Sequence, residues 1–257
     1  MTNPFNDQEM AVYWTAMIRD EINPFRKYVT DPALFNRLDN WPGPMSILEM
    51  GCGEGYIVRH LARHGHQVTG FDLSLPLLQA AKEAEQYGSD FVKGDVLQLP
   101  FCDGAFEAAV SNFLIIELPD PTIAIAETAR VLKPGGRFLF EIVHPFCFTD
   151  NAGQTSGQRV TDYFTSQYFE EKFVVDGRIS PLKSIRYHHP LSLYTQALTQ
   201  HGFHITALEE PQPALDTPSD HPIREILKEP WFMIVEAVKA ANSTPGNKFP
   251  RLRQKVH

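Results

Sequence analysis

The sequence predicts an α/β fold, an open doubly wound sheet whose strands run mostly parallel. Three observations carry this. Short apolar runs bounded by turn residues alternate with longer stretches whose apolar residues recur at helical spacing. The run Ile47-Leu48-Glu49-Met50 ends in a glycine turn, Gly51-Cys52-Gly53-Glu54-Gly55, and Tyr56 to Ala62 then opens a helix. A second run, Gln67 to Phe71, closes on an acid, Asp72, about 20 residues after that turn.

Taken in order, Gln8 to Tyr28 carries Met10, Tyr13, Trp14, Met17, Ile18 and Ile22 at roughly helical spacing, and Pro24 and Pro32 are expected to split the region into two short helices. The first strand, glycine turn and helix follow, then the strand Gln67–Asp72 and a helix through Lys82 that Asp72 or Ser74 would cap. Asp90 to Val96 reads as the third strand and Ala105 to Asn112 as the fourth. An amphipathic helix, Pro121 to Leu132, stops at Lys133-Pro134-Gly135-Gly136, because proline lacks the helical donor and glycine accepts positive φ. Arg137 to Ile142 is then the fifth strand.

From about residue 145 to 190 the alternation breaks. Seven aromatics lie between Phe146 and Phe173, around a polar tip at Asn151–Gly157, and Asp176-Gly177 marks a hairpin turn. This segment reads as an inserted cap whose aromatics either wall an apolar cavity or form a satellite core. A helix from Pro190 to Gly202, a strand His204–Glu209 and a last strand Trp231–Val238 complete the chain. The expected organisation is a helical lid at 1–40, a main domain at 41–240 and a disordered tail at 241–257.

The glycine turn brings bare backbone and a helix N-terminus up to a ligand. A dinucleotide fingerprint places its third glycine one residue later than Gly55. Glu54 inside the turn and Glu49 before it would repel a pyrophosphate, and they suit a cationic ligand. Asp72, at a strand's C-terminal end, suits ribose hydroxyls. Glu49 to Gly55 resembles the first motif of the class I S-adenosylmethionine-dependent methyltransferases. Gly94-Asp95-Val96 with Leu99-Pro100-Phe101 resembles that family's adenine motif, and Leu132 to Arg137 one of its structural landmarks. Glu107 stands where the family usually has Asp.

The resemblance implies a Rossmann-like, seven-stranded sheet with an antiparallel final strand, and S-adenosylmethionine as cofactor. It implies cofactor contacts at Tyr13, Glu49, Gly51, Cys52, Gly53, Asp72, Leu73, Asp95, Val96, Asn112 and Phe113. The expected reaction is methyl transfer to oxygen or nitrogen of a small, partly apolar or aromatic metabolite. Candidate acceptor contacts are Trp14, Glu117, Phe146, Tyr163, Phe164 and Tyr168. His144, His188 and His189 are candidate bases, since imidazole titrates near neutral pH. An NAD-dependent oxidoreductase and a non-catalytic cofactor-binding module are the competing readings.

Composition narrows the classes further. With 257 residues, 43% hydrophobic and 21% charged, the chain is ordinary for a globular protein, and its net charge of −8 argues against a nucleic-acid partner. No apolar run approaches the ~20 residues that span a bilayer, so neither membrane insertion nor a secretory signal is expected. Cys52, Cys102 and Cys147 are scattered and odd in number, which fits free thiols in a reducing, cytoplasmic setting. His60, His64 and His66 offer helical i,i+4 spacing, but no acid or cysteine stands near them in sequence to complete a metal site. No G-x-S-x-G elbow is present. The oligomeric state is not legible.

Overall fold

The computed structural model describes residues 3–21, 23–146, 160–175 and 177–241. Ile22, Cys147, the polar tip Asn151–Gly157 and all but the first residue of the expected tail lie outside these. After α1 (Gln8–Arg19) and α2 (Asp31–Asp39) come β1 (Ser46–Met50), α3 (Tyr56–Arg63), β2 (Gln67–Asp72), α4 (Leu75–Ala84) and β3 (Asp90–Lys93). Then follow β4 (Phe106–Asn112), α5 (Pro121–Val131), β5 (Leu132–Val143) and the small strands β6 (Gln167–Glu171), β7 (Val174–Val175), β8 (Arg178–Ile179) and β9 (Ser184–His188). The chain closes with α6 (Leu191–Gln200), β10 (Phe203–Glu209), α7 (Ile223–Ile226) and β11 (Phe232–Lys239).

Seven strands form the main sheet in the order β10-β11-β5-β4-β1-β2-β3. β11 runs antiparallel to both its neighbours, while β1 to β5 pair in parallel. Side-chain alternation along the strands divides the core between two faces. Phe138, Phe140 and Ile142 pack towards α5 and α6, while Leu139, Ile47 and Val110 face Leu34 and Leu38 of α2 and Ile57 and Leu61 of α3. Connections to β1 and β4 leave in opposite directions, so the strand ends diverge there and open a crevice.

Two local expectations are corrected. Pro32 does not break a helix. It sits in the first turn of α2, where a missing N–H is tolerated, and a π-type turn over Arg26–Thr30 leads into it without interruption. The third strand ends at Lys93, because Gly94 turns the chain with its amide donating to the Asp72 carbonyl. Strands β7 and β8 pair antiparallel, as do β10 and β11, as expected, while Asp176 of the expected turn lies outside the described residues. Among the described residues, no helix is long and apolar enough to cross a membrane.

Candidate active site

The glycine turn is built from β2 outward. The Gly51 and Cys52 amides both donate to the Phe71 carbonyl, at 2.7 and 3.1 Å, and the Gly55 amide donates to the Cys52 carbonyl at 2.8 Å. The Gly53 amide donates to Asp72 Oδ2 at 2.8 Å, and Asp72 Oδ1 accepts from the Ser74 amide at 2.7 Å. Ser74 then caps α4. Gly53, at φ +53°, has no atom within 4 Å of where a Cβ would stand, so its α-carbon is bare towards the crevice.

This arrangement changes the argument against a dinucleotide. Glu54 does not face the ligand. It is fully buried, held by Arg59 at 2.7 Å and Arg19 at 2.8 Å, so its charge is already compensated. What disfavours a pyrophosphate is that the amides of Gly51, Cys52, Gly53 and Gly55 already have acceptors within the protein. An anion would meet no free nest of donors.

The crevice encloses about 500 Å³. Of the expected cofactor contacts, Gly51, Gly53, Asp72, Leu73, Asp95, Val96, Asn112 and Phe113 line it together. Glu49 and Cys52 do not; both are buried behind the turn, with Cys52 Sγ packed against Gly70. Tyr13 lies outside it too, its hydroxyl donating to the Arg178 carbonyl at 3.1 Å. Among the described residues, Glu49 Oε2, Ser111 Oγ and Asn112 Oδ1 are buried without hydrogen-bond partners. They cluster at the C-terminal ends of the adjacent strands β1 and β4. Burial pushes Glu49 well above the usual carboxylate range, and the Val58 amide offsets this only in part. Of the three, Asn112 lines the crevice, where an orphaned acceptor calls for a ligand that brings a donor. Asp72 is likewise raised by burial, against the amides of Ser74, Gly53 and Leu73.

Beyond these residues, Trp14 and Glu117 line the same crevice, and so do Phe5, Leu77, Ile185 and Tyr187, which sequence reasoning missed. The last two lie on β9, whose alternating Ser184-Ile185-Arg186-Tyr187-His188 carried a period-2 signal. Trp14 packs between Phe5 and Phe173, at ring separations of 5.6 and 5.2 Å, and so fastens α1 over the opening. Glu117 faces the crevice half-buried, and loss of hydration among the surrounding protein atoms raises its pKa to about 8.

The remaining candidates are placed elsewhere. His144 Nδ1 accepts from the Phe146 amide and its Nε2 lies 3.3 Å from Glu210. His188 Nε2 contacts the Tyr163 carbonyl at 2.9 Å. His189 bridges Ser166 Oγ and the Leu118 carbonyl, at 2.8 and 3.0 Å. Burial lowers the pKa of all three rings, and none lines the crevice. Phe146, Phe164 and Tyr168 are exposed, and the Tyr163 hydroxyl accepts from the Leu191 amide, so these four aromatics do not wall the cavity. Glu107 binds the Ser46 amide and Lys133, a bracing role between β1 and β4.

Residues 48–140 match the methyltransferase domain family. That segment is a class I S-adenosylmethionine-dependent methyltransferase domain. The chain's fold is shared with an S-adenosylmethionine-dependent methyltransferase from Mesorhizobium loti, 25% identical, with a TM-score of 0.64 over 81% of this chain and 96% of that one. Among curated relatives, a malonyl-[acyl-carrier protein] O-methyltransferase of Erwinia pyrifoliae is 38% identical over 37% of this chain and 36% of its own length. A demethylmenaquinone methyltransferase of Corynebacterium kroppenstedtii is 38% identical over 39% of this chain and 42% of its own. The match therefore spans well under half of those relatives. For this methyltransferase domain, S-adenosylmethionine is the cofactor that family and fold imply. The unpartnered Asn112 Oδ1, which lines the crevice, is an acceptor of the kind its ammonium requires.

Proposed function

We propose that the protein transfers a methyl group from S-adenosylmethionine to an oxygen or nitrogen of a small, partly apolar metabolite. The observation that carries this is the convergence of the glycine turn, Asp72, Asp95, Asn112 and Phe113 with Trp14, Glu117, Ile185 and Tyr187 around one cavity. When bound, the cofactor supplies an electrophilic methyl on sulfur, and transfer breaks the C–S bond to leave a neutral thioether.

The chain's own residues divide the remaining work. Asp72 accepts from ribose hydroxyls through lone pairs not used by the Gly53 and Ser74 amides. Asp95, whose Oδ1 is held by the Leu97 amide, meets the adenine amino group, with Val96 and Leu73 against the ring. Asn112 and the bare backbone of Gly51 and Gly53 receive the amino-acid end, with Glu49 buried behind them. Trp14, Ile185 and Tyr187 give the acceptor an apolar wall and exclude water, which favours alignment for in-line displacement.

With the three histidines outside the crevice, Glu117 is the acid–base group placed to act on the acceptor. Ionised, its carboxylate takes the acceptor's proton as the methyl bond forms. A base with a pKa of about 8 requires activity to rise with pH towards that value. Removing a general base typically lowers rate by about 10²–10⁴-fold. Glu117→Gln should therefore lower kcat by about 100-fold and abolish the pH dependence, while KM for the cofactor changes little.

The decisive experiment is calorimetric titration with S-adenosylmethionine, S-adenosylhomocysteine and NADH, followed by mass detection of methylated product across a metabolite panel. Binding of the first two but not NADH supports the cofactor assignment. Binding without any product would favour a non-catalytic cofactor-binding module, and NADH binding alone would favour an oxidoreductase.

A further inference from the structure

The fold supplies what the sequence around His60 lacks. α2 ends beside α3, and Asp39 Oδ1 comes to 2.7 Å from His60 Nε2 and 3.7 Å from His64 Nε2. Among the described residues, this is the one group of three metal-capable side chains whose ligand atoms all lie within 4.8 Å of one another. We propose that Asp39, His60 and His64 bind a divalent ion of the zinc class and so clasp α2 to α3.

Three features carry the assignment. First, donor atoms around a tetrahedral ion with bonds of ~2.0–2.1 Å stand roughly 3.3 Å apart. The separations of 2.7 and 3.7 Å bracket that value and the third pair lies within 4.8 Å, so side-chain rotation would bring the three atoms to bonding distance. Second, His64 Nδ1 lies 2.8 Å from the carbonyl of His60. A proton on Nδ1 donates there and leaves the Nε2 lone pair facing Asp39. This is how a metal-bound imidazole is normally oriented, by donating its other nitrogen to a carbonyl or carboxylate. Third, His60 is stacked on Phe35 at 3.9 Å with an 11° tilt, so one ligand is rigid before any ion arrives.

Two imidazoles and one carboxylate favour zinc, cobalt, nickel or copper over magnesium or calcium, which prefer all-oxygen shells. The fourth position opens to solvent, since Asp39 and the His64 ring are exposed. The clasp lies outside the crevice and its role is structural. α2 begins at Asp31, which contacts the Tyr56 hydroxyl, and that hydroxyl accepts from Asn112 Nδ2 at 2.6 Å. An ion at one end of α2 thus steadies the segment whose other end braces a crevice residue. The inference is independent of the methyl-transfer proposal.

The test uses full-length protein without a histidine tag, freed of metal by chelation. Titration with Co²⁺ should give the visible d–d bands of a nitrogen- and oxygen-ligated ion and saturate at one ion per chain. Zn²⁺ should displace it and raise the melting temperature. Loss of a residue that only hydrogen-bonds a ligand lowers metal affinity about 10–100-fold, so loss of a ligand should do at least that. His64→Ala and Asp39→Asn should each weaken Zn²⁺ binding by about tenfold or more, while His204→Ala, on the exposed edge strand β10, should not. Circular dichroism of the metal-free variants shows whether they fold. Absence of Co²⁺ or Zn²⁺ binding overturns the proposal, as does binding that both ligand variants retain. Either result would leave a plain Asp39–His60 hydrogen bond.

Discussion

Glu54 is a fully buried acid and Glu117 a half-buried one, and the chain treats them differently. Two arginines hold Glu54, so removing one leaves buried charge under-compensated. Breaking a buried pair costs about 3–5 kcal/mol. Arg59→Met, with partly exposed Arg19 still in place, should cost about 3 kcal/mol in urea unfolding. Glu117 has no such partner in contact, and burial holds its pKa at about 8 against an ordinary 4.5. Between those values the folded chain keeps a proton that the unfolded chain has lost, so this group makes stability fall as pH rises from 4.5 to 8. Thermal melts of the cofactor-free protein should show that decline, and Glu117→Gln should flatten it and raise stability most above pH 8. An unchanged slope in the variant would show that Glu117 is ionised at neutral pH. The sequence offered Glu117 only as an acceptor contact, because nothing in the linear pattern reveals that protein atoms of the crevice displace part of its hydration. Glu54's neutralisation was equally hidden, since Arg19 lies 35 residues away.

At the level of elements, the parallel strands were legible because each is an apolar run closed by turn chemistry, as at Gln67–Asp72. The cap was not, because its aromatics signal burial without saying against what. Phe164 and Tyr168 point to solvent, while Ile185 and Tyr187 of β9 do the lining. The acid missing beside the α3 histidines was likewise invisible, since Asp39 comes from a separate helix packed alongside. Trp14 shows how a lid helix is fastened. Its ring contacts with Phe5 and Phe173 join α1 to the loop before the β7–β8 hairpin, each contact worth about 0.5–1.5 kcal/mol beyond area burial. Trp14→Ala should lower stability by about 2 kcal/mol and raise KM for the acceptor more than the Kd for S-adenosylmethionine. Equal loss of both would mean that α1 serves the whole crevice rather than its acceptor side.

For the whole molecule, strand order decides where ligand can bind. The sheet reverses direction of growth between β1 and β4, and the residues that line the crevice cluster where those strands end. The unfolded chain assembles no such cluster, so a ligand that fits it binds the folded state alone and stabilises it by mass action. At a concentration 100-fold above Kd the gain is about 2.7 kcal/mol. For a domain of this size each kcal/mol moves the melting temperature by roughly 2–4 °C. S-adenosylmethionine or S-adenosylhomocysteine at that excess should therefore raise Tm by about 5–10 °C. NADH should leave Tm where it was, because the turn's amides are already committed to Phe71, Cys52 and Asp72. Asp72→Ala frees the Gly53 and Ser74 amides together, so it should lower the starting Tm and also erase most of the cofactor-induced shift. A shift that survived in Asp72→Ala would mean that the nucleoside is held by other residues than those gathered at the strand ends. A chain that melts at the same temperature with and without either sulfur nucleoside would not use this crevice for methyl transfer.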